Sequence, residues 1–559
     1  SPSSRKIAIF EHDARGVGMM YSTRTNVYHP ELDAWRYPLP EDTVIFRVHR
    51  VVLDLDRPAG DHVVRLDMEP DQHRSTCSDH IECGGRLGDL EWSADSRHFA
   101  FVSSSRDHKV AQVRMADARP GAVRDVFREG EETFYEAQSG WRYLSGANEI
   151  LWFSQRDDWG NLFLYDATTG ALKRKVTTGD WNALDIRDVD EERRTVTFVG
   201  NEREPGDPYF QYLCRVGLDD GAVTLLTPDS ANHVVSLSPD GDFIVDSYST
   251  PVVPPVTVLR DRDGREVMTL EEADISRLVA SGWQPPMPFI VKARDGETDL
   301  HGLLFRPLDF DPSRTYPVVN YLYPGPQSGS VGSRSFRASH RDLQAIAELG
   351  FVVIELDAMG TPMRSKTFHE AYYGNMGDNG LPDQIAGIRQ LAERHPWIDI
   401  ERVGIYGHSG GGFAAAGAIM RYPDFYDVAV SQAGNHDNRN YEDDWGEKWQ
   451  GLLEVYPDGT TNYDNQANQL QAENLRGKLL IAHGTMDTNV PPSNTMLVVD
   501  ALIAANKDFD LLMLPNRGHG FGNEPYMMRR RWDYFVRHLL RAEPPAGYEI
   551  GRMERTVGE

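Results

Sequence analysis

The sequence predicts a chain in two parts, a β-propeller of short antiparallel strands followed by an α/β domain with a mostly parallel sheet. Three observations carry this reading. Residues 1–285 repeat one phrase: a Ser-Pro/Ala-Asp-like turn, a short alternating strand, then a second strand closed by an Asp/Gly turn. Residues 286–559 instead alternate apolar runs with helical stretches. Two Pro-rich stretches, Pro251–Pro255 and Pro285–Pro288, bracket the change of pattern and put the boundary near residue 285.

The repeated phrase is clearest at Ser1-Pro2-Ser3-Ser4 before Ile7–Phe10, at Trp92-Ser93-Ala94-Asp95 before Phe99–Val102, and at Leu237-Ser238-Pro239-Asp240-Gly241 before Phe243–Val245. Leu162–Asp166 with Thr169-Gly170, and Leu213–Val216 with Asp220-Gly221, read as outer strands and their turns. Units of roughly 40 to 50 residues with four short strands are propeller blades. A pair of β-sandwiches is the alternative. At that blade size the first 285 residues supply about six blades, so the propeller is expected to be incomplete by one or two.

Beyond the boundary, Val318–Tyr323, Phe351–Leu356, Val403–Tyr406, Leu479–Ala482 and Leu511–Leu514 are apolar enough to be covered on both faces, as parallel strands are. Helices are expected at Pro382–Glu393 and Tyr526–Leu540, with Arg529, Arg530 and Arg531 forming a solvated face.

The 559 residues carry 58 Lys+Arg against 85 Asp+Glu, a net charge of −27. This acidity disfavours a nucleic-acid partner, whose binding depends on basic side chains displacing counterions. No apolar run approaches the roughly 20 residues of a membrane span. Three cysteines exclude a disulfide scaffold. Cys77 and Cys83 could close a small loop, sit as two plain thiols, or join His80 in a weak metal signature, with Cys214 left over. No cofactor or metal is implied. The chain begins Ser1-Pro2-Ser3, with neither Met nor a leader, so either a leader was removed or the sequence starts inside a longer chain.

The chemistry centres on Gly407-His408-Ser409-Gly410-Gly411, which follows the strand Val403–Tyr406 and precedes the small-residue stretch Phe413–Ala418. Ser409 at such a strand-to-helix turn is lifted above the sheet, and the glycines let the two elements approach. The N–H of Gly410 faces the same space. Asp487 in His483-Gly484-Thr485-Met486-Asp487 and His519 in Gly518-His519-Gly520 follow two later strands, completing the α/β-hydrolase order Ser, Asp, His. His519 would accept the Ser409 proton, and Asp487 would hold the imidazole and stabilise its charge. His408, His436 and His483 read as structural.

With these motifs in hand, the sequence resembles the prolyl oligopeptidase family of serine peptidases, and within it the dipeptidyl peptidase IV-like branch, over nearly the whole chain. Tyr321-Leu322-Tyr323-Pro324-Gly325-Pro326 is among the segments that carry the resemblance. It implies that Tyr323 joins Gly410 in an oxyanion hole. In the same way Asp487-Thr488-Asn489-Val490 implies that Asn489 holds the substrate carbonyl and that Val490 lines the pocket. Tyr441 and Trp445 resemble the aromatic pair that walls a proline pocket, with Trp where the family has Tyr. An aromatic slot suits a ring that lacks an N–H, and Trp would narrow it toward small residues.

The resemblance implies release of dipeptides from the amino end of short peptides, after Pro or a small residue. An oligopeptidase or acylaminoacyl peptidase that needs no free amino terminus is a second reading, and a non-catalytic interaction protein a third. The adjacent glutamates that capture the amino terminus in this branch have no clear counterpart. Glu131-Glu132 comes nearest and reads as solvated charge, so the resemblance places the pair upstream of Ser1. It also implies a homodimer through the hydrolase domain and export to the periplasm or beyond, while the net negative charge would favour substrates carrying a free amino group.

Overall fold

The computed structural model describes residues 1–58, 60–72, 90–136 and 140–551. Cys77, His80 and Cys83 lie outside the described residues, and Cys214 is a buried free thiol.

Among the described residues, the first half forms five four-stranded sheets. The first contains Lys6–Asp13, Arg47–Asp54, Val63–Arg65 and Asp71–Gln72. The other four are meanders whose strands pair in chain order, from Leu90–Trp92 to Val123–Gly130, Trp141–Leu144 to Leu172–Lys175, Asn182–Asp190 to Val223–Leu225, and Asn232–Leu237 to Glu266–Glu272. The described sheets number five, where about six blades were expected. Part of the length goes into a hairpin, Met19–Arg24 paired with Glu31–Arg36, that interrupts the first sheet and belongs to none.

Successive sheets pack face to face, as propeller blades do. One apolar cluster joins the first sheet to the second, and further clusters continue the series to the fifth. Leu162–Asp166 and Leu213–Val216 are third strands, not outer ones; the outermost are Leu172–Lys175 and Val223–Leu225. The reason is visible in Trp159–Asp166, where Leu162 and Leu164 enter one cluster while Phe163 and Tyr165 enter the neighbouring one. The strand is interior because it pairs with Glu149–Asp157 on one side and Leu172–Lys175 on the other, so both its edges as well as both its faces are covered.

The repeated turn also has a local cause. Ser93 Oγ donates to Asp95 at 2.6 Å and accepts the His98 N–H at 2.9 Å, and Ser238 does the same with Asp240 at 2.6 Å and Phe243 at 3.0 Å. The Ser side chain thus closes the turn in place of backbone. In four blades the turn between third and fourth strands ends on a positive-φ glycine: Gly121, Gly170, Gly221 or Gly264. A Cβ at Gly170 would lie 1.9 Å from the Val126 carbonyl oxygen of the preceding blade. Glycine there serves contact between blades as well as the turn.

The second half contains one eight-stranded sheet, in the order Met287–Lys292, Asp299–Phe305, Val352–Leu356, Tyr316–Tyr321, Ile398–His408, Val428–Gln432, Lys478–Gly484, Asp510–Leu514. The first two pairings are antiparallel and all later ones parallel. Helices Leu381–Arg394, Gly410–Arg421 and Ser493–Ala504 contribute to the core on one face, and Leu343–Glu348 and Pro525–His538 to the core on the other. Arg531 departs from the solvated face expected of it. It is buried, donates to Asp342 at 3.2 Å, to Gln432 at 3.1 Å and to the Gly522 carbonyl at 3.2 Å, and lies over Tyr406. Three basic residues in a row on a helix point in different directions, so one of them can face inward.

The two halves meet through an apolar cluster that joins Tyr37 and Phe134 to Tyr372, Trp445 and Trp449, and through polar contacts, several of them made by residues 363–367. The Met363 carbonyl, in left-handed backbone at φ 69°, accepts from Asn182 at 3.2 Å and Asn201 at 2.6 Å. Thr367 bonds Asp158 through both its N–H and its hydroxyl at 2.7 Å. Lys366 is buried between them, bonded to the Phe134 carbonyl, 3.5 Å from the Phe134 ring centre and 3.7 Å from Glu370. Glu131 is half-buried near this lysine, so it is not the plain solvated charge expected.

Burial pulls the Lys366 pKa down from 10.5 to about 8, against the acids around it. Between those values the unfolded chain binds more protons than the folded one, so this group makes stability rise with pH from about 8 to 10.5. In Lys366→Met the pH-dependence of the unfolding free energy should be flatter in that window, by up to about 1.4 kcal/mol per pH unit. Parallel denaturant titrations of the two proteins check this.

Candidate active site

Ser409 lies between the strand Ile398–His408 and the helix Gly410–Arg421, with φ 59° and ψ −123°. Such backbone costs on the order of 1–3 kcal/mol and persists only where its surroundings hold it. Here they do. The Ser409 N–H is bonded to the Gln432 carbonyl at 2.8 Å, and the Ser409 carbonyl accepts from Phe413 at 2.9 Å. A Cβ on Gly407 would meet Gly411 Cα at 2.6 Å, one on Gly411 the Leu322 carbonyl at 2.4 Å, and one on Gly412 the Gln432 carbonyl at 2.2 Å. Three glycines thus let the two flanking strands and the helix converge beneath the serine.

Asp487 and His519 follow the last two strands, Lys478–Gly484 and Asp510–Leu514. His519 Nδ1 lies 2.7 Å from Asp487 Oδ2, while Asp487 Oδ1 accepts the N–H groups of Asn489 at 3.0 Å and Val490 at 2.9 Å. Burial alone would raise the Asp487 pKa, but hydrogen bonds from His483 and His519 outweigh it and hold it at about 2. The carboxylate is therefore charged at any working pH and fixes the imidazole with its Nε2 side free for a serine proton. His483 is bonded to Thr495 at 2.7 Å and to the Val490 carbonyl at 2.9 Å, and His436 sits 3.1 Å from Asn468. His408 departs from a plain turn residue, because its ring packs 4.9 Å from that of His519. Burial, with His519 adding to it, lowers its pKa to about 4, so it is neutral beside the His519 imidazole.

Ser409 opens into a cavity of about 480 Å³. Its lining includes Gly410 and Tyr323, whose hydroxyl lies beside the Ser409 side chain. Burial raises the Tyr323 pKa, so the hydroxyl keeps its proton and remains a donor. Tyr441 and Trp445 form one wall, with ring centres 5.9 Å apart at 73°. The Tyr441 hydroxyl donates to Asn489 Oδ1 at 3.1 Å, which leaves the Asn489 amide N–H groups available to a ligand carbonyl. Val490 is fully buried in the aromatic cluster behind this wall.

The first half of the chain reaches this site at several points. Tyr37, just past the hairpin, donates to the Asn489 carbonyl at 2.6 Å and accepts the Glu442 N–H at 3.0 Å. The hairpin tip joins Thr25 to Asn516 through two hydrogen bonds of 2.9 and 2.8 Å, next to the loop carrying His519. Arg106 in the second sheet grips the buried Glu447 of helix Asp443–Gln450, with a closest contact of 2.6 Å.

Sequence reasoning missed Gln327, Lys448 and Trp449 in the cavity lining and Tyr37 behind it. Trp449 could have been found, since it stands one helical turn beyond Trp445. Gln327 directly follows the Tyr-Leu-Tyr-Pro-Gly-Pro segment. Nothing local marks Tyr37. Among the described residues, no cluster of His, Cys, Asp and Glu is arranged to hold a metal ion, and no helix is long and apolar enough to cross a membrane.

The chain matches the prolyl oligopeptidase family over residues 336–541 and the dipeptidyl peptidase IV N-terminal region over residues 1–255. It is 30% identical over 402 residues to human dipeptidyl peptidase 8, covering 69% of this chain and 44% of that protein. To the mouse protein of the same name it is 26% identical over 587 residues, 93% of this chain and 64% of the relative. The chain thus spans less than two thirds of these relatives. In fold it superposes on Porphyromonas gingivalis dipeptidyl peptidase 4 with a TM-score of 0.83 at 22% identity, covering 96% of this chain and 74% of that one.

The glycines around Ser409 are not equivalent. A Cβ on Gly410 would rest 3.7 Å from the Tyr323 ring, ordinary contact, whereas on Gly411 it would strike backbone. Gly410→Ala should keep its melting temperature and reactivity toward a serine-directed phosphonate, while Gly411→Ala should lose about 3 kcal/mol or more of stability. Thermal unfolding and labelling rates of the two variants check this.

Proposed function

The chain belongs to the prolyl oligopeptidase family, in its dipeptidyl peptidase IV-like branch, and from that premise we propose that it is a serine peptidase acting on short peptides. The observation that carries the proposal is the strained Ser409 opening into an aromatic-walled cavity beside the 2.7 Å His519–Asp487 pair. Residues 1–285 form the propeller part, which limits entry, and residues 286–559 the catalytic part.

In this reading Ser409 Oγ attacks the substrate carbonyl carbon as His519 Nε2 takes its proton. Asp487 stabilises the imidazolium without taking that proton. The oxyanion is held by the Gly410 N–H and the Tyr323 O–H. His519 then gives its proton to the leaving amine, and water attacks the acyl-enzyme by the same route in reverse. The residue before the cut lies against Tyr441 and Trp445, with Val490 behind them, and Asn489 holds a substrate carbonyl.

Release of an amino-terminal dipeptide after Pro or a small residue is the finer proposal. It is supported by the slot's aromatic walls and by the names of the relatives. A peptidase that does not need a free amino terminus is the second reading, favoured by Glu442 being the one carboxylate among the described residues lining the cavity. A homodimer fits the exposed Met496, Leu497 and Ile503 on helix Ser493–Ala504. Export to the periplasm or beyond belongs to the same proposal and rests on the likeness to bacterial members of the branch.

A fluorophosphonate should label Ser409 and abolish peptidase activity, and a folded protein that resists labelling would sink the proposal. Tyr323→Phe should lower kcat by about a hundredfold to a thousandfold, measured on a Gly-Pro anilide. The free anilide should be turned over faster than its N-blocked form, and the reverse order would favour the second reading.

A further inference from the structure

Gln327 is joined to both sides of the cavity. Its Nε2 lies 3.0 Å from the Tyr323 hydroxyl, and its Oε1 lies 3.3 Å from Trp445 Nε1. The indole nitrogen is a donor only, so it requires the amide oxygen opposite it. The amide N–H must then face Tyr323. Since Gln327 occupies a lone pair of that hydroxyl as donor, the single Tyr323 hydrogen is left free to point toward Ser409, whose side chain lies beside it.

The loop bearing Gln327 is built to hold this arrangement. The Tyr323 N–H is bonded to Ser330 Oγ at 3.0 Å, the Pro326 carbonyl to His369 at 2.6 Å, and the Pro324 carbonyl to the Tyr372 hydroxyl. At Gly325 a Cβ would lie 2.5 Å from the Tyr323 ring and 2.8 Å from Gln327 Oε1. Only glycine lets the two side chains close over that turn.

We infer that Gln327 is a positioning residue for the oxyanion donor, and that it relays the state of the substrate-pocket wall at Trp445 to the Tyr323 hydroxyl. The inference rests on the serine-peptidase reading above. The chain of donors runs Trp445 N–H to Gln327 O=C, Gln327 N–H to Tyr323 oxygen, and Tyr323 O–H to the oxyanion, each bond polarising the next. It also gives the indole at position 445 a use that a phenol lacks, because a phenolic O–H can accept as well as donate and would not force the amide's orientation. A side chain pressing on Trp445 then sharpens or loosens the donor that stabilises the transition state, so residue preference should appear in kcat as well as in KM.

The test compares the full chain with Gln327→Glu, which keeps the acceptor for Trp445 but replaces the N–H donor by a carboxylate that draws the Tyr323 hydrogen away. Gln327→Leu serves as the apolar counterpart. For Gly-Pro anilide hydrolysis, kcat should fall at least about tenfold in both while KM stays within about twofold. A Gly-Pro aldehyde, whose adduct with Ser409 places an oxyanion in the hole, should lose affinity by the same factor as kcat. The product Gly-Pro should bind unchanged. Trp445→Phe should lower kcat by a smaller factor in the Gln327→Leu background than in the parent chain. Wild-type kcat in Gln327→Glu would overturn the inference, as would equal losses for aldehyde and product, which mark a general structural role. Fluorophosphonate labelling of Ser409 run to completion separates the outcomes: an unlabelled parent chain defeats the peptidase reading itself, whereas labelled variants with unchanged kcat defeat only the relay.

Discussion

The active site depends on three backbones meeting closer than side chains would allow. Leu322 and Gln432 each present a carbonyl within 2.4 Å of where a Cβ on the first turn of helix Gly410–Arg421 would stand. With glycine at 407, 411 and 412, the helix sinks between the strand ends, and Ser409 has no room except at φ 59°. Its hydroxyl is thereby pushed out of the fold, its N–H is committed to Gln432, and the N–H of Gly410 is left at the mouth of a helix N-terminus. Tyr323 then follows from the end of the neighbouring strand Tyr316–Tyr321, and His408 ends the strand that runs into Ser409. Backbone geometry sets the position of the nucleophile, and side-chain chemistry only finishes it.

The buried charges of the catalytic half serve that geometry. Arg531 holds Gln432, the residue that fixes Ser409, and the Gly522 carbonyl, which lies in the loop begun by His519. Its charge is balanced by Asp342, which also accepts from Tyr406 at 3.0 Å and Trp532 at 2.8 Å. Removing either partner from such a buried pair leaves an uncompensated charge, so the pair ties two catalytic loops to one helix. Asp487 works the same way on a smaller scale, with its two oxygens divided between backbone N–H groups and histidines.

The propeller half contributes position more than chemistry. Tyr37 and Arg106 brace the segment bearing Tyr441, Trp445 and Glu447, and the hairpin tip braces the loops of Asp487 and His519. Met363 and Asp158, both in left-handed backbone, mark where the halves lock together. These directional contacts set the relative orientation of the two halves, around the apolar cluster that packs Tyr37 and Phe134 with Trp445 and Trp449.

What was legible in the sequence is what local chemistry encodes. The Ser-x-Asp turns and the glycines between third and fourth strands repeat because each blade solves the same closure problem. Ser409, Asp487 and His519 could be read because the strand-end motifs carry their own backbone requirements. Strand rank within a blade, the inward turn of Arg531 and the half-burial of Glu131 were not legible, since each depends on which neighbour covers it. The same holds for Tyr37, brought into one apolar cluster with Trp445 from some 400 residues away. The sequence by itself pointed to the fold class and to the strand-end motifs that carry Ser409, Asp487 and His519, because periodicity, turn chemistry and the glycine elbow act over a few residues. Only the tertiary structure decided the bracing from the propeller and the Gln327 bridge, because hydrogen bonds and packing across hundreds of residues leave no spacing to read.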